Sequence, residues 1–295
     1  MIFNFKTDNF TTERNSNGNI LYADSTMFGN DLRLGDFVMY SLLLFCLKSQ
    51  LIAMYPNRFN STNLYFKLNM VSKCYINDID TLIKWFPNVW KSNRIINKSQ
   101  NNINQLIDGG NLWAFKCYLE RTNIKLNNSI FKNYHLIDPV EGFNRDINPS
   151  TVYIFPIRKK NYNTERNFNY KMIYDIIVGL NLNKKVVVIT KDTDIKFHYL
   201  TKTIKRDLTE LNDKSWNDII LDIIKDGERL ITGDCGLAHF ISMIKAFNKP
   251  RLTVYYKTAA HIIIEPMNEF DKKMKVINFK PYSPYITDSV SIRTF

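Results

Sequence analysis

The sequence predicts an α/β protein of two domains, the second built on a doubly wound parallel sheet. Three observations lead there. Short apolar runs alternate with stretches of helical periodicity along most of the chain. Residues 138–150 hold Pro139, Gly142 and Pro149 and read as a linker. The 295-residue length accommodates two domains of about 100–200 residues each. The boundary is set between residues 147 and 148, giving domains 1–147 and 148–295.

Met1–Gly18 is polar and reads as a flexible or edge segment. Asn19–Ala23 is a short apolar strand. A loop follows over Asp24–Leu34, then Gly35-Asp36, then a mostly apolar helix over Phe37–Ala53. This strand–loop–helix order opens an α/β domain. Asn63–Leu68, Lys73–Ile76 and Trp113–Leu119 are candidate strands, and Asp78–Trp85 is a candidate short helix. Asp108–Asn111 (DGGN) has turn chemistry. The second half is more regular. Thr151–Phe155 is an apolar strand stopped by Pro156. Asn169–Leu180 carries Met172, Ile173, Ile176, Ile177 and Leu180 at helical spacing. Val186–Thr190 reads as a buried strand, Arg229–Thr232 and Leu252–Tyr256 as further strands, and Trp216–Ile224 and Leu237–Phe247 as helices. Strands alternating with helices argue for parallel pairing.

Composition narrows the function classes. Hydrophobic residues make up 45% of the chain, with 20 Phe, 16 Tyr and 4 Trp, which supplies two cores and argues against disorder. The formal charge of +12 favours an anionic partner, although A/T-rich coding also raises Lys. The four cysteines, Cys46, Cys74, Cys117 and Cys235, have no CxxC spacing and read as free thiols of a reducing compartment. The first eighteen residues lack the apolar core of a signal peptide. The longest apolar stretch, Phe37–Leu47, ends at Lys48 and is shorter than the ~20 residues of a membrane span. A cytoplasmic protein without integral membrane association is expected. His135, His198 and His261 show no metal-ligand spacing, so no metal is expected.

The sharpest local feature is Ile231-Thr-Gly-Asp-Cys-Gly-Leu-Ala-His-Phe240, a strand running through a glycine turn into a helix. Amide groups at such a helix start attract an anion, and Gly233 and Gly236 permit close backbone approach by a phosphate. The same pattern equally describes an ordinary βα turn capped by Asp234.

The run Gly233-Asp234-Cys235-Gly236-Leu237-Ala238-His239 resembles the Asp-Ser/Thr-Gly-x-x-His motif of the heptosyltransferases, glycosyltransferase family 9. Cys235 departs from that motif by replacing the Ser or Thr. Asp31-Leu-Arg-Leu-Gly-Asp-Phe-Val38 resembles the family's N-terminal Gly-Asp and helix. Phe155-Pro156 followed by Glu165-Arg166-Asn167-Phe168 resembles its segment that meets the donor phosphates. The resemblance runs in order from about Ile20 to Tyr256 and is thin between residues 60 and 140. It implies a GT-B fold, two Rossmann-like domains with a donor cleft between them, and inverting transfer of a sugar from a nucleotide-sugar to an acceptor hydroxyl.

By this resemblance Asp36 is the general base. Arg166, Gly233, Asp234, Cys235, Gly236, Leu237 and His239 hold the donor. The donor is a UDP- or ADP-linked sugar acting as co-substrate, with no other cofactor. Each residue has a plainer reading: Asp36 as a helix cap, Arg166 as a solvated charge, His239 as a buried residue that orients the loop. Asp192-Thr193-Asp194 follows a strand and offers Asp192 to a donor ribose or a cation. It also reads as a polar loop with a helix cap.

For the acceptor, richness in Asn, Lys, Phe and Tyr resembles proteins of A/T-rich phages or large viruses. A hydroxymethylated base in phage DNA is the first expectation, with Arg158-Lys159-Lys160, Lys202–Arg206 and Lys272–Lys275 as candidate phosphate contacts. The alternatives are a heptosyltransferase-like enzyme of lipopolysaccharide or surface-glycan synthesis, a non-catalytic module that binds a nucleotide-sugar or nucleic acid, and a nucleotide-sugar epimerase.

Overall fold

The computed structural model describes residues 13–15, 18–24, 31–70, 73–91, 95–96, 106–107, 137–138, 141–156, 168, 170–179, 185–189, 215–233, 235–244, 250–256 and 290–294. The chain is α/β with parallel sheets. In the first half, β1 (Glu13–Asn15), β2 (Gly18–Asp24), β4 (Leu64–Met70), β6 (Ile95–Ile96) and β7 (Leu106–Ile107) form one sheet. Its centre runs β2-β4-β6 in parallel. β1 is antiparallel along the start of β2, and β7 is parallel along its end. A separate parallel pair joins β3 (Asp31–Leu32) to β5 (Lys73–Cys74).

The second sheet has the order β12-β11-β10-β8-β9, from β8 (Thr151–Phe155), β9 (Val186–Val188), β10 (Gly227–Gly233), β11 (Arg251–Tyr256) and β12 (Val290–Thr294). Every pairing is parallel. Counted from β8, this is the doubly wound 2-1-3-4-5 order, whose direction of growth reverses between β8 and β10.

Strand alternation sorts the apolar residues to two faces. Val152, Ile154, Val186, Val188 and Ile231 pack with Ile173 and Ile177 of helix α3 (Tyr170–Gly179). Tyr153, Val187, Leu230, Leu252 and Val254 face a larger core shared with α4 (Trp216–Asp226) and α5 (Gly236–Ser242). That core continues into the first half, through α1 (Leu34–Met54), α2 (Ile79–Ile83) and the inward residues of β2 and β4.

Helix α1 is long and apolar enough to cross a membrane, yet most of it is buried inside the protein. A helix apolar on all sides belongs in a core, and this one lies in the core common to both halves. Its polar groups are satisfied locally. Ser41 Oγ donates to the Phe37 carbonyl at 2.8 Å and accepts Trp90 Nε1–H at 2.8 Å. Lys48 Nζ donates to the carbonyls of Ser61 and Asn88 at 2.8 and 2.9 Å.

Further contacts join the halves. Trp85 donates to Asn217 Oδ1 at 2.9 Å, and the Asn217 amide donates to Asp78 Oδ2 at 2.6 Å. Phe240 of α5 meets Trp85 and Phe86 edge-on, each with centroids 5.7 Å apart. The segment before β8 is fastened too. Arg145 donates to the Ile224 and Gly227 carbonyls at the end of α4, where a cation also suits the helix dipole. Asp226 accepts from Thr151 at 2.8 Å and from Tyr153 at 2.6 Å.

Most expected elements are present. Two elements depart from the expectation. Helix α1 begins at Leu34, so it takes in Gly35 and Asp36 rather than starting after them. β12, unread in the sequence, is the sheet's outer strand. The expected edge role of the N-terminus is realised as β1. The Trp113–Leu119 strand, the Asp108–Asn111 turn and Cys117 lie outside the described residues.

Candidate functional site

In open α/β sheets a ligand binds beyond the carboxyl ends of the strands, at the point where strand order reverses. Here that point lies between β8 and β10. β8 ends at Phe155, paired in register with Thr232, and β10 ends at Gly233. The glycine turn picked out in the sequence therefore sits at the switch point.

Local chemistry fixes the turn. Thr232 Oγ1 donates to the Phe155 carbonyl at 2.9 Å, which stitches the two strand ends together. That hydroxyl has one proton, so the Cys235 thiol, 3.4 Å away, is the donor in their contact. Cys235 is the N-cap of α5 in extended geometry, and its side chain makes no capping bond. Its sulfur is turned back to Thr232 instead of toward the first-turn amides. His239 is buried in α5, and its amide donates to the Cys235 carbonyl at 3.1 Å. Leu237 is buried in the common core.

The decisive geometry is between halves. A Cβ placed on Gly236 would lie 2.4 Å from the Gly35 nitrogen, 2.9 Å from Gly35 Cα and 3.0 Å from the Leu34 carbonyl carbon. The start of α5 thus rests on the start of α1, backbone to backbone. Asp36 is the next residue on α1, in its first turn and half-buried. It is not the helix cap, because Arg33 occupies that position.

Of the sequence candidates, Gly236 touches Gly35, the neighbour of Asp36 in α1, and Gly233, Cys235, Leu237 and His239 lie on the same strand, turn and helix as Gly236. Arg166, Asp192 and Asp234 lie outside the described residues, as do the three basic clusters at 158–160, 202–206 and 272–275. No group of metal-ligating side chains occurs among the described residues. Cys46, Cys74 and Cys235 are free thiols, and burial pushes Cys46 up to about 12.

Two residues at the junction escaped the sequence reading. Arg33 is exposed, with its guanidinium 5.5 Å from the centroid of the Tyr75 ring, and Tyr75 is 48% exposed. The β3–β5 pair, extended by the Tyr75 amide on the Leu32 carbonyl at 3.0 Å, sets them side by side. Arg33 directly precedes the Leu-Gly-Asp run, which was a signal for it. Tyr75 had none, because its place depends on a pairing between segments far apart in sequence.

The chain is similar in structure to E. coli heptosyltransferase WaaC with ADP, over 93% of this chain and 93% of that chain, at a TM-score of 0.42 and 7% identity. No protein-family model matches the sequence, and no curated protein matches it.

Proposed function

We propose that this protein is an inverting glycosyltransferase that moves a sugar from a nucleoside-diphosphate sugar to an acceptor hydroxyl. The observation that carries the reading is the contact of Gly236 with Gly35. It involves a glycine turn at the switch point of a doubly wound sheet and the first turn of α1, where half-buried Asp36 is the next residue after Gly35. A carboxylate from one half and a ligand turn from the other meet the minimum need of such a reaction.

In this reading Asp36 takes the proton of the acceptor hydroxyl. The oxygen attacks the anomeric carbon, and the bond from that carbon to the diphosphate breaks. The leaving diphosphate keeps the electron pair, and the Gly236 and Leu237 amides stabilise its growing charge, with Arg166 as the further cation. The donor is ADP- or UDP-linked, and the two halves correspond to the donor and acceptor domains of a GT-B arrangement.

The acceptor divides the reading. A hydroxymethylated DNA base rests on composition rich in Asn, Lys, Phe and Tyr, on net charge and on basic clusters that lie outside the described residues. A glycan hydroxyl needs only the junction itself, and it is the reading carried forward. The test is a mass-spectrometric panel. The protein is incubated with ADP- and UDP-sugars and with either lipopolysaccharide core or hydroxymethylpyrimidine duplex DNA. A product heavier by one sugar on the core supports the glycan reading, and one on the DNA nucleosides supports the DNA reading. Donor binding without transfer to either points to a binding module.

A further inference from the structure

Asp78 stands in the cap position of α2, yet its side chain makes no capping bond to that helix. It reaches into the other half instead, where Asp78 Oδ2 accepts the Asn217 amide at 2.6 Å. Asn217 is the second residue of α4, and an amide at that position has no partner within its own helix. Ser215 Oγ accepts the next amide, that of Asp218, at 3.1 Å. The start of α4 is therefore capped twice, by its own serine and by a carboxylate of the first half. Negative charge at a helix start is favourable in addition to the hydrogen bond. The Asn217 side chain is held from the same half, since its Oδ1 accepts from buried Trp85 at 2.9 Å. Asp78 and Trp85 lie just before and just after α2, so one short helix presents both groups to α4.

The same end of α4 reaches the switch point. Trp216 precedes Asn217 and meets Phe155 edge-on, with ring centroids 6.0 Å apart. Phe155 ends β8, and its carbonyl accepts Thr232 Oγ1 at 2.9 Å. Thr232 in turn contacts the Cys235 thiol at 3.4 Å. Bonded and packed contacts thus run without a gap from Asp78 to the glycine turn. We infer that Asp78 is a positioning residue, which seats α4, and through it the glycine turn, against the half that carries Asp36. It acts through other groups and touches no reactant. A cap supplied by the other half forms only when the halves are docked, so the turn takes its set shape only in the docked protein. This role rests on the reading of the glycine turn as the donor site.

The first test needs no ligand. The full chain is treated with iodoacetamide, and labelling of Cys235 and of Cys46 is followed by peptide mass spectrometry in wild type, Asp78→Ala and Asp78→Asn. Cys235 reports on the turn, and Cys46, packed against the common core, reports on the protein as a whole. Loss of one charge-assisted bond shifts a local equilibrium by a factor of about 5–30. Cys235 should therefore label at least about fivefold faster in Asp78→Ala, with Cys46 unchanged. Asparagine keeps an acceptor oxygen and should return Cys235 to within about twofold of wild type. In the wild type itself, the Asn217 amide should exchange with solvent at least about tenfold more slowly than an open amide. Free exchange at Asn217, an unchanged Cys235 rate in Asp78→Ala, equal acceleration of Cys46 and Cys235, or no recovery in Asp78→Asn overturns the role. ADP and UDP are then titrated into the same samples. Affinity should fall about fivefold or more in Asp78→Ala and recover in Asp78→Asn, and equal affinity in all three proteins also overturns it. A wild type that binds neither nucleotide sinks the donor-site reading, while labelling and exchange still decide whether Asp78 sets the turn.

Discussion

Gly236 of α5 lies so close to Gly35 of α1 that a methyl group on it would fall 2.4 Å from the Gly35 nitrogen. The relation is not symmetrical. A Cβ on Gly35 would meet Gly236 Cα at 3.4 Å, an ordinary contact at the tight end.

The two alanine variants should therefore differ. Gly236→Ala must push the helix starts apart, and it should cost about 1–3 kcal/mol and weaken nucleotide binding. Gly35→Ala gains helix propensity of up to about 1 kcal/mol and should be near neutral. Urea denaturation of both proteins checks this, and equal effects would mean that the contact is looser than described.

Lys48 gives a pH signature. Burial lowers it from 10.5 to about 8, despite its two carbonyl acceptors and the Tyr65 ring 4.5 Å away. Between pH 8 and 10.5 the unfolded chain holds a proton that the native protein has released. The Lys48 contribution to stability therefore rises with pH across that window, and below pH 8 the burial cost is present in full. Wild type minus Lys48→Met stability, measured by denaturation from pH 7 to 10.5, should increase with pH. A flat difference would show that Lys48 titrates normally.

Tyr153 tests the fastening of the segment before β8. Burial first, then its bond to Asp226, raises its pKa. Tyr153→Phe removes that bond while Thr151 still donates to Asp226. A loss of about 1–2 kcal/mol is expected, with nucleotide affinity unchanged in the same titration. A change in nucleotide affinity would link this cluster to the site.

Much of the fold was legible because it is written locally. Thr151–Phe155 is a continuous apolar run before a proline, and it is a strand over those same residues. The spacing of Ile219, Ile220, Ile223 and Ile224 marks α4, where all four are buried. Two-residue strands such as β6 and β7 are too short to leave a periodic trace. β12 reads Val-Ser-Ile-Arg-Thr, and its place is set by pairing with β11 rather than by its own pattern. The start of α1 was misplaced because Gly35 disfavours a helix, and its contact with Gly236 overrides that preference. The motif at 233–239 was legible as a turn. That it meets the start of α1 was not, since periodicity carries no information about which helix starts touch.

Asp36 is proposed to take the acceptor proton. The direct measurement compares Asp36→Asn with wild type, using donor affinity by titration and turnover with the acceptor found in the panel. Asparagine keeps the shape, and loss of the favourable charge in the first turn of α1 costs only about 0.3–1 kcal/mol. Donor affinity within about threefold and turnover lower by about 10²-fold or more are expected. Turnover equal to wild type would remove Asp36 from the chemistry and with it the reason for this junction.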